Sequence, residues 1–167
     1  MLTIINSMKE LAFSELMAVY EETNQKDGRE RWPQDTQARQ IAQAEQDFYN
    51  YLRSCFFPIA SSRYFAWQVC GKYVSALRVE PYRDGLLLAG LETAPAQRGK
   101  GYASLLVAST LEWQREQGGS KVYSHIENRN FASVAVHEKC GFRKVSEFAT
   151  YADGSVSHQA ATYLYEI

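Results

Sequence analysis

The sequence has almost no excess of either charge and no long apolar run, and these two absences exclude several classes of protein. Its 18 basic and 19 acidic residues nearly cancel and leave a formal net charge of −1. A chain with this balance has no overall field to attract nucleic acid or an anionic membrane surface. No stretch approaches the roughly 20 apolar residues that a membrane-spanning helix needs. We therefore predict neither a nucleic-acid partner nor a membrane partner.

The chain is also poor in cysteine, with only Cys55, Cys70 and Cys140 at widely separated positions. An odd number of cysteines without metal-ligand spacing indicates neither a disulfide framework nor a metal site, so we expect reduced thiols in the core. Lys9 and Glu15 fall where a secretory signal would need apolar residues. Together these features predict a cytoplasmic protein that binds no metal.

No internal repeat, low-complexity segment or linker divides the chain, so residues 1–167 are expected to form a single domain. Its apolar content of 46% and charged content of 22% are typical of a globular protein with a substantial core.

Apolar stretches separated by turn residues predict a mostly antiparallel sheet. A meander of three strands is expected around the turns at residues 70–72 and 83–85, and a last hairpin around Asp153 and Gly154. Pro81 is expected at a strand end or edge, because proline cannot donate to a ladder. The strands expected from this pattern are residues 1–6, 64–69, 73–82, 86–93, 120–127, 142–151 and 156–167.

About four helices are predicted beside this sheet. Ser7 and Glu10 have the spacing of a capping box before a first helix with apolar positions up to Tyr20. Residues 24–36 are polar and broken by glycine and proline, so they predict a loop. A second helix is expected to bury a stripe at helical spacing, formed by Ile41, Glu45, Phe48, Leu52 and Cys55.

The most informative stretch begins as the apolar strand at residues 86–93, crosses a glycine-rich turn at residues 98–103 and continues with helical spacing. Two glycines let the backbone approach a ligand closely, and the following helix presents unpaired amides with a partial positive charge. The turn is therefore predicted to bind an anion, most naturally phosphate. It lacks the spacing of a nucleoside-triphosphate loop, and Ser104 stands where a dinucleotide fingerprint needs its third glycine.

Arg98, Gly101 and Ala103 fill, in register, the pattern Arg/Gln-x-x-Gly-x-Gly/Ala, and this stretch resembles the GNAT acetyltransferase superfamily. Residues 130–142 resemble the other signature of that family, which is Asn-x-x-Ala/Ser, a short helix and Glu-Lys-x-Gly-Phe. Asn130 suits a helix N-cap and Gly141 a C′ glycine. The resemblance runs from about residue 63 to the C-terminus, and the first sixty residues match only in their coarse pattern.

The resemblance implies a GNAT-like mixed α/β (α+β) fold, with a mostly antiparallel sheet and one parallel βαβ unit at the cofactor site. It implies acetyl-coenzyme A as the cofactor, held along two parallel strands that splay apart near Thr93 and Glu127. The pyrophosphate would be held by the backbone of Arg98, Gly99, Lys100, Gly101, Tyr102 and Ala103. The pantetheine arm would lie beside Leu91 and Thr93 on one wall and Asn130 and Ser133 on the other.

The implied activity is N-acetyl transfer to a primary amine of a small molecule or peptide, by direct attack in a ternary complex. The alternative is a non-catalytic module that binds or senses an acyl-coenzyme A, which would keep the loop and lose the base. The protein is expected to be a monomer or a homodimer.

An ammonium group is no nucleophile, so the acceptor must lose a proton to a base. Glu92 is a candidate because it interrupts an apolar strand, where burial would raise its pKa. His125 is the second candidate because an unperturbed histidine titrates near pH 6.5, although a strand histidine is often only structural. Glu127 fits a solvated residue or a partner of Arg129 better.

The thiolate leaving group should be protonated, and many members of the family use a tyrosine for this. His137 occupies the corresponding position here and is the candidate proton donor, unless the role is absent. Tyr123 and Tyr151 are alternatives that no motif selects.

The acceptor pocket has no motif of its own. Arg78, Glu80 and Tyr82 alternate and so lie on one face of their strand. If that face borders the pocket, the acceptor is zwitterionic or amino-acid-like; if it faces solvent, the pattern has no functional meaning. Trp32, in the polar segment, is either a wall of the pocket or a packing residue.

Overall fold

The computed structural model describes residues 1–167, and its centre is a mixed sheet of seven strands. The chain contains β1 (Leu2–Ile5), β2 (Arg63–Val69), β3 (Lys72–Tyr82), β4 (Gly85–Thr93), β5 (Lys121–Glu127), β6 (Arg143–Ser146), β7 (Ala149–Thr150), β8 (Val156–Ser157) and β9 (Ala160–Glu166). The sheet order is β1-β2-β3-β4-β5-β9-β6, while β7 and β8 form a separate ribbon. Every neighbouring pair is antiparallel except β4 and β5, which are parallel. The predicted sheet is confirmed.

Five helices flank this sheet: α1 (Phe13–Val19), α2 (Glu21–Arg31), α3 (Gln37–Tyr51), α4 (Tyr102–Glu116) and α5 (Phe131–Lys139). Alternation along β2 separates two cores. Tyr64 faces the core shared with α1 and α3, whereas Phe65 faces the core shared with α4 and α5. No helix is long and apolar enough to cross a membrane.

The segment predicted to be a loop at residues 24–36 is instead helical up to Arg31, which is why the chain has five helices and not four. Helix α2 contains no apolar residue, so its sequence has no hydrophobic period. Acidic residues in its first turn and arginines in its last turn complement the helix dipole. Gly28 allows α2 to approach α3, since a Cβ there would lie 2.7 Å from the carbonyl oxygen of Gln40.

Two other predictions for the N-terminal half are wrong in detail. Ser7 and Glu10 do interact, with a side-chain hydrogen bond of 3.1 Å, but they form a turn, and α1 begins only at Phe13. The stripe predicted for the second helix is only partly correct: Leu52 is buried and Phe48 packs against the same core, but α3 also buries Gln40 and Ala44, and Cys55 is exposed on a π-helical turn.

The three cysteines are free thiols, as predicted, but the prediction that they lie in the core is wrong. Cys55 is exposed on the π-helical turn, Cys70 is exposed in the β2–β3 turn, and Cys140 is partly buried. No group of three or more metal-ligating side chains occurs.

The C-terminal hairpin is present but interrupted. β6 and β9 pair antiparallel in the main sheet, and between them the chain forms the β7–β8 ribbon around Asp153 and Gly154. Pro81 lies at the end of β3, beyond the last residue paired with β2, as predicted.

Two irregularities in β4 shape the region that carries the motif. β4 pairs with β5 only through Leu86, Leu87 and Leu88, and the two strands then separate. Further along, Ala76 pairs with Glu92 and Arg78 with Ala89, so the chain has a β-bulge at Gly90 and Leu91. Gly90 has a φ of 61°, a conformation that favours glycine. The end of β4 is therefore free of β5 and rotated relative to its beginning.

Candidate active site

The glycine-rich turn has the backbone geometry of an anion cradle. Gly99 and Gly101 have φ values of 75° and 82°, and a Cβ on either would meet no atom within 4 Å. α4 begins immediately after Gly101, with no side chain capping its first amides. These amides carry the positive end of the helix dipole and have no side-chain acceptor, so they fit a phosphate group.

A cavity of about 550 Å³ opens in front of this turn, between the free end of β4 and the start of α5. It is lined by every residue predicted to bind the cofactor except Lys100, namely Leu91, Thr93, Arg98, Gly99, Gly101, Tyr102, Ala103, Asn130 and Ser133. The Lys100 ammonium instead donates a 2.8 Å hydrogen bond to Gln97. Four further lining residues were not predicted, although all of them lie inside or beside the two motifs: Gln97, Ser104, Ala132 and Val136.

Asn130 holds the far wall of this cavity, which we name the cofactor cavity, in place. Its side-chain oxygen accepts a 3.1 Å hydrogen bond from the amide of Ser133 and so caps α5. Gly141, with a φ of 93°, follows the last turn of the same helix. Both predicted helix ends are confirmed, and they place the first turn of α5 opposite the end of β4.

A second cavity of about 330 Å³ lies on the face of the sheet covered by the N-terminal helices, and we name it the acceptor cavity. It is lined by Tyr20, Thr23, Asn24, Asp27, Arg31, Ala44, Asp47, Phe48, Tyr51, Arg78, Gly90 and Glu92. Of the alternating trio on β3, only Arg78 lines it. Trp32 does not, and the guanidinium of Arg31 lies over its ring at 4.4 Å.

Glu92 lines both cavities. The hydroxyl of Thr23 donates a 2.8 Å hydrogen bond to its carboxylate, and the guanidinium of Arg98 lies 4.0 Å away. Burial raises the pKa of Glu92 above its ordinary value, while the Thr23 hydrogen bond and the charge of Arg98 partly oppose that effect. The carboxylate is thus a stronger base than an exposed glutamate and lies where the two cavities meet.

His125 lies away from both cavities, on β5. Its ring stands edge-on between Tyr82 and Tyr151, with centroids 5.2 and 5.3 Å away. Both ring nitrogens are buried without a hydrogen-bond partner. Burial, together with the charge of Arg83, lowers the pKa of His125, so the ring is neutral near pH 7. Glu127 is exposed and also lines neither cavity.

His137, the predicted proton donor, is 1% exposed and lines neither cavity. Its Nδ1 lies 2.8 Å from the carbonyl oxygen of Ser133, and its ring packs against Phe142. Burial lowers its pKa. His137 therefore does not line the cofactor cavity itself, although its Nδ1 lies 3.4 Å from the Oγ of Ser133, which does, and its role as proton donor stays a prediction. Tyr123 and Tyr151 line neither cavity either.

Comparison with known proteins identifies the family and the fold. A sequence model described as the Acetyltransferase (GNAT) family matches residues 12–142. The chain belongs to this family, whose members use acetyl-coenzyme A, and the predictions of family, fold, acetyltransferase and cofactor are confirmed.

One curated protein matches only part of the chain. The aminoglycoside N(6')-acetyltransferase type 1 of Serratia marcescens is 33% identical over 64 residues, covering 38% of this chain and 44% of that protein. The chain thus matches less than half the length of this curated relative.

Two solved structures share the fold over nearly their whole length. The PaiA N-acetyltransferase of Thermoplasma acidophilum, in complex with coenzyme A, has a TM-score of 0.65 at 9% identity and covers 100% of this chain and 99% of its own. A protein of Pyrococcus horikoshii OT3 has a TM-score of 0.68 at 16% identity, with the same coverage.

Proposed function

We propose that this protein transfers the acetyl group of acetyl-coenzyme A to a primary amine of a small molecule or peptide while both substrates are bound. The observation that supports this most directly is the position of Glu92, which lines the cofactor cavity and the acceptor cavity at once. A base at this junction is within reach of an amine that enters from one cavity and attacks a thioester held in the other.

The cofactor cavity fits coenzyme A by its donors and its shape. The amides around Gly99 and Gly101 and the start of α4 would hold the pyrophosphate. Leu91 and Thr93 belong to the part of β4 that has left β5, so their backbone groups would hold the pantetheine arm. When bound, acetyl-coenzyme A supplies an activated acetyl group as a thioester.

The protein supplies the base. An amine arrives largely as an ammonium ion near neutral pH, and Glu92 would accept one of its protons before or during attack. Thr23 and Arg98 hold the carboxylate in place and partly oppose the rise in its pKa that burial causes. His125 remains the rival base, although it contacts neither cavity.

Direct transfer needs no acyl-enzyme, and the partly buried thiol of Cys140 is poorly suited to form one. Cys140 lines neither cavity, and its sulfur lies 3.7 Å from the carbonyl oxygen of Ser104. Burial raises its pKa and suppresses the thiolate that nucleophilic attack requires.

The test measures thiol release from acetyl-coenzyme A with a panel of amines that includes amino acids, polyamines, aminoglycosides and peptides. Release that depends on an amine, together with an acetylated amine found by mass spectrometry, is the expected result. Stabilisation of the protein by acetyl-coenzyme A with no amine-dependent release would favour the sensing module instead.

A further inference from the structure

The acceptor cavity contains a cation whose charge the protein leaves largely unpaired. Arg78 projects from β3 into this cavity, and its Nε is buried without a hydrogen-bond partner. The only carboxylate within 4.0 Å is that of Glu80, at 3.9 Å, which is longer than a hydrogen bond. A guanidinium carries five N–H donors that suit a carboxylate, and the buried Nε–H of Arg78 has no acceptor here, which is costly unless a ligand supplies one.

The tyrosines around Arg78 do not neutralise it. Burial raises the pKa of Tyr64 to about 12 and that of Tyr20 well above 10, so both hydroxyls stay protonated. Tyr64 donates to Tyr20 at 2.8 Å, and Tyr20 donates to the carbonyl oxygen of Gly90. Tyr51 provides an aromatic face 5.5 Å from the guanidinium, which orients the cation without cancelling its charge.

Besides Arg78, the charged residues that line this cavity are Arg31, Asp47, Asp27 and Glu92. Arg31 and Asp47 pair with each other at 2.5 Å and are about half exposed. Asp27 is exposed. Glu92 and Arg78 are therefore the partly buried, oppositely charged groups that line it.

The spacing of these two groups suits one small molecule. An ideal Cβ on Gly90 would lie 2.9 Å from Nη1 of Arg78, so the guanidinium lies directly over that residue. Gly90 precedes Glu92 by two residues, and a strand advances about 3.3 Å per residue, so the backbone positions of Gly90 and Glu92 are at most roughly 7 Å apart along β4. An amine and a carboxylate of the same small molecule fit between them.

From this arrangement we infer that the acceptor is an amino acid or a similar zwitterion, whose carboxylate binds Arg78 while its amine faces Glu92. The inference rests on the proposed function. A bidentate pair between arginine and the carboxylate would orient the acceptor better than the compact ammonium of a lysine could. The same arginine repels an ammonium group placed beside it, so a carboxylate is favoured at that end of the cavity over the second amine of a polyamine.

The first experiment compares acceptors that differ only in the carboxylate. Phenylalanine is paired with 2-phenylethylamine, 4-aminobutyrate with propylamine, and lysine with 1,5-diaminopentane, with a polyamine and an aminoglycoside beside them. At least one amino acid should be acetylated with a kcat/KM at least about tenfold above that of its counterpart, as expected for a charge-assisted pair. If the amines without a carboxylate are the better acceptors, the inference about Arg78 is wrong and the proposed function still stands. Transfer to no amine contradicts the proposed function itself.

The second experiment removes the cation. Arg78→Met should raise KM for the amino acid at least about tenfold and leave the amine without a carboxylate little changed. Arg78→Lys, which keeps the charge and loses the fork, should give a smaller loss and serves if the methionine variant does not fold. Arg39→Met removes an exposed arginine that lines neither cavity and is the matched control. An equal effect of Arg78→Met on both members of a pair contradicts the inference.

Discussion

The hydroxyl of Thr23 donates a 2.8 Å hydrogen bond to the carboxylate of Glu92, and so links α2 to the end of β4. A hydrogen bond to the ionised carboxylate lowers its pKa, so removing the donor raises it. We expect Thr23→Val to move the acid limb of the kcat/KM profile to higher pH, with Thr23→Ser close to the parent. If the pH profiles of both variants superimpose on that of the parent, the ionisation seen in the acid limb is not that of Glu92.

Glu92→Gln tests the base itself. The substitution keeps shape and hydrogen bonding but cannot accept a proton, so kcat should fall about 100- to 10,000-fold with cofactor affinity little changed. The loss should shrink at high pH, where free amine is abundant.

The matched variant for Glu92→Gln is His125→Gln on the neighbouring strand. It should leave turnover within a few-fold of the parent, because His125 lines neither cavity. The reverse pattern would make His125 the base. If neither substitution matters, the proton leaves through water or before binding.

Gly101→Val tests the phosphate cradle. It adds a side chain in front of α4 and forces a β-branched residue to a φ of 82°, at a cost of roughly 1–2 kcal/mol. Acetyl-coenzyme A should no longer raise the melting temperature of the variant. Gly118→Val carries the same kind of strain, at a φ of 76° with no atom within 4 Å, far along the chain from the cavity lining. Gly118→Val should lose stability and keep cofactor binding. If folded Gly101→Val binds acetyl-coenzyme A as tightly as the parent, the turn at residues 98–103 is not the phosphate site.

Cys140→Ala should retain most of the turnover. Burial raises the pKa of this thiol, and Cys140 lines neither cavity, so its loss removes only packing. Rates are compared under saturating substrates, and the parent is examined by mass spectrometry after incubation with acetyl-coenzyme A. An acetylated Cys140 that decays when amine is added would establish an acyl-enzyme and exclude direct transfer.

Two histidines, His137, which is buried, and His125, which is partly buried, predict loss of stability in mild acid. Burial lowers the folded-state pKa of His125 and His137 below the unfolded value of about 6.5. Below that pH the unfolded chain binds more protons, so the free energy of unfolding should fall as pH drops. Urea midpoints at about pH 7.5 and about pH 5.5 measure the difference. His137→Gln should make the difference between the two midpoints smaller. If the difference is unchanged, groups other than His137 cause the loss of stability in acid.

The cofactor side of the site could be predicted from sequence because its geometry is local. Gly99, Gly101 and Asn130 each fix the backbone within a few residues, and the spacing between them fixes a strand, a turn and a helix. The acceptor side could not be predicted this way. It depends on α2, which has no apolar period, and on Thr23 meeting Glu92 across 69 positions of chain.

The position of the His137 side chain also depends on tertiary packing that the sequence motif does not show. Its place in the motif suggested a proton donor, but its packing against Phe142 and its bond to Ser133 bury it within the helix-to-strand corner. A motif records position along the chain and does not record which side of a helix the tertiary fold covers.

The bulge at Gly90 makes the number of residues in β4, as well as their identity, a determinant of function. Leu86 and Leu88 pack under α4, and in a regular strand Glu92 would share their parity and enter the apolar core. The bulge resets the alternation, so Leu91 joins that core and Glu92 emerges on the opposite side. Deleting one residue of the bulge would keep Glu92 in the sequence but turn its side chain to the opposite face of the sheet. An alignment gap in this strand would therefore remove Glu92, the proposed base, from the place where the two cavities meet.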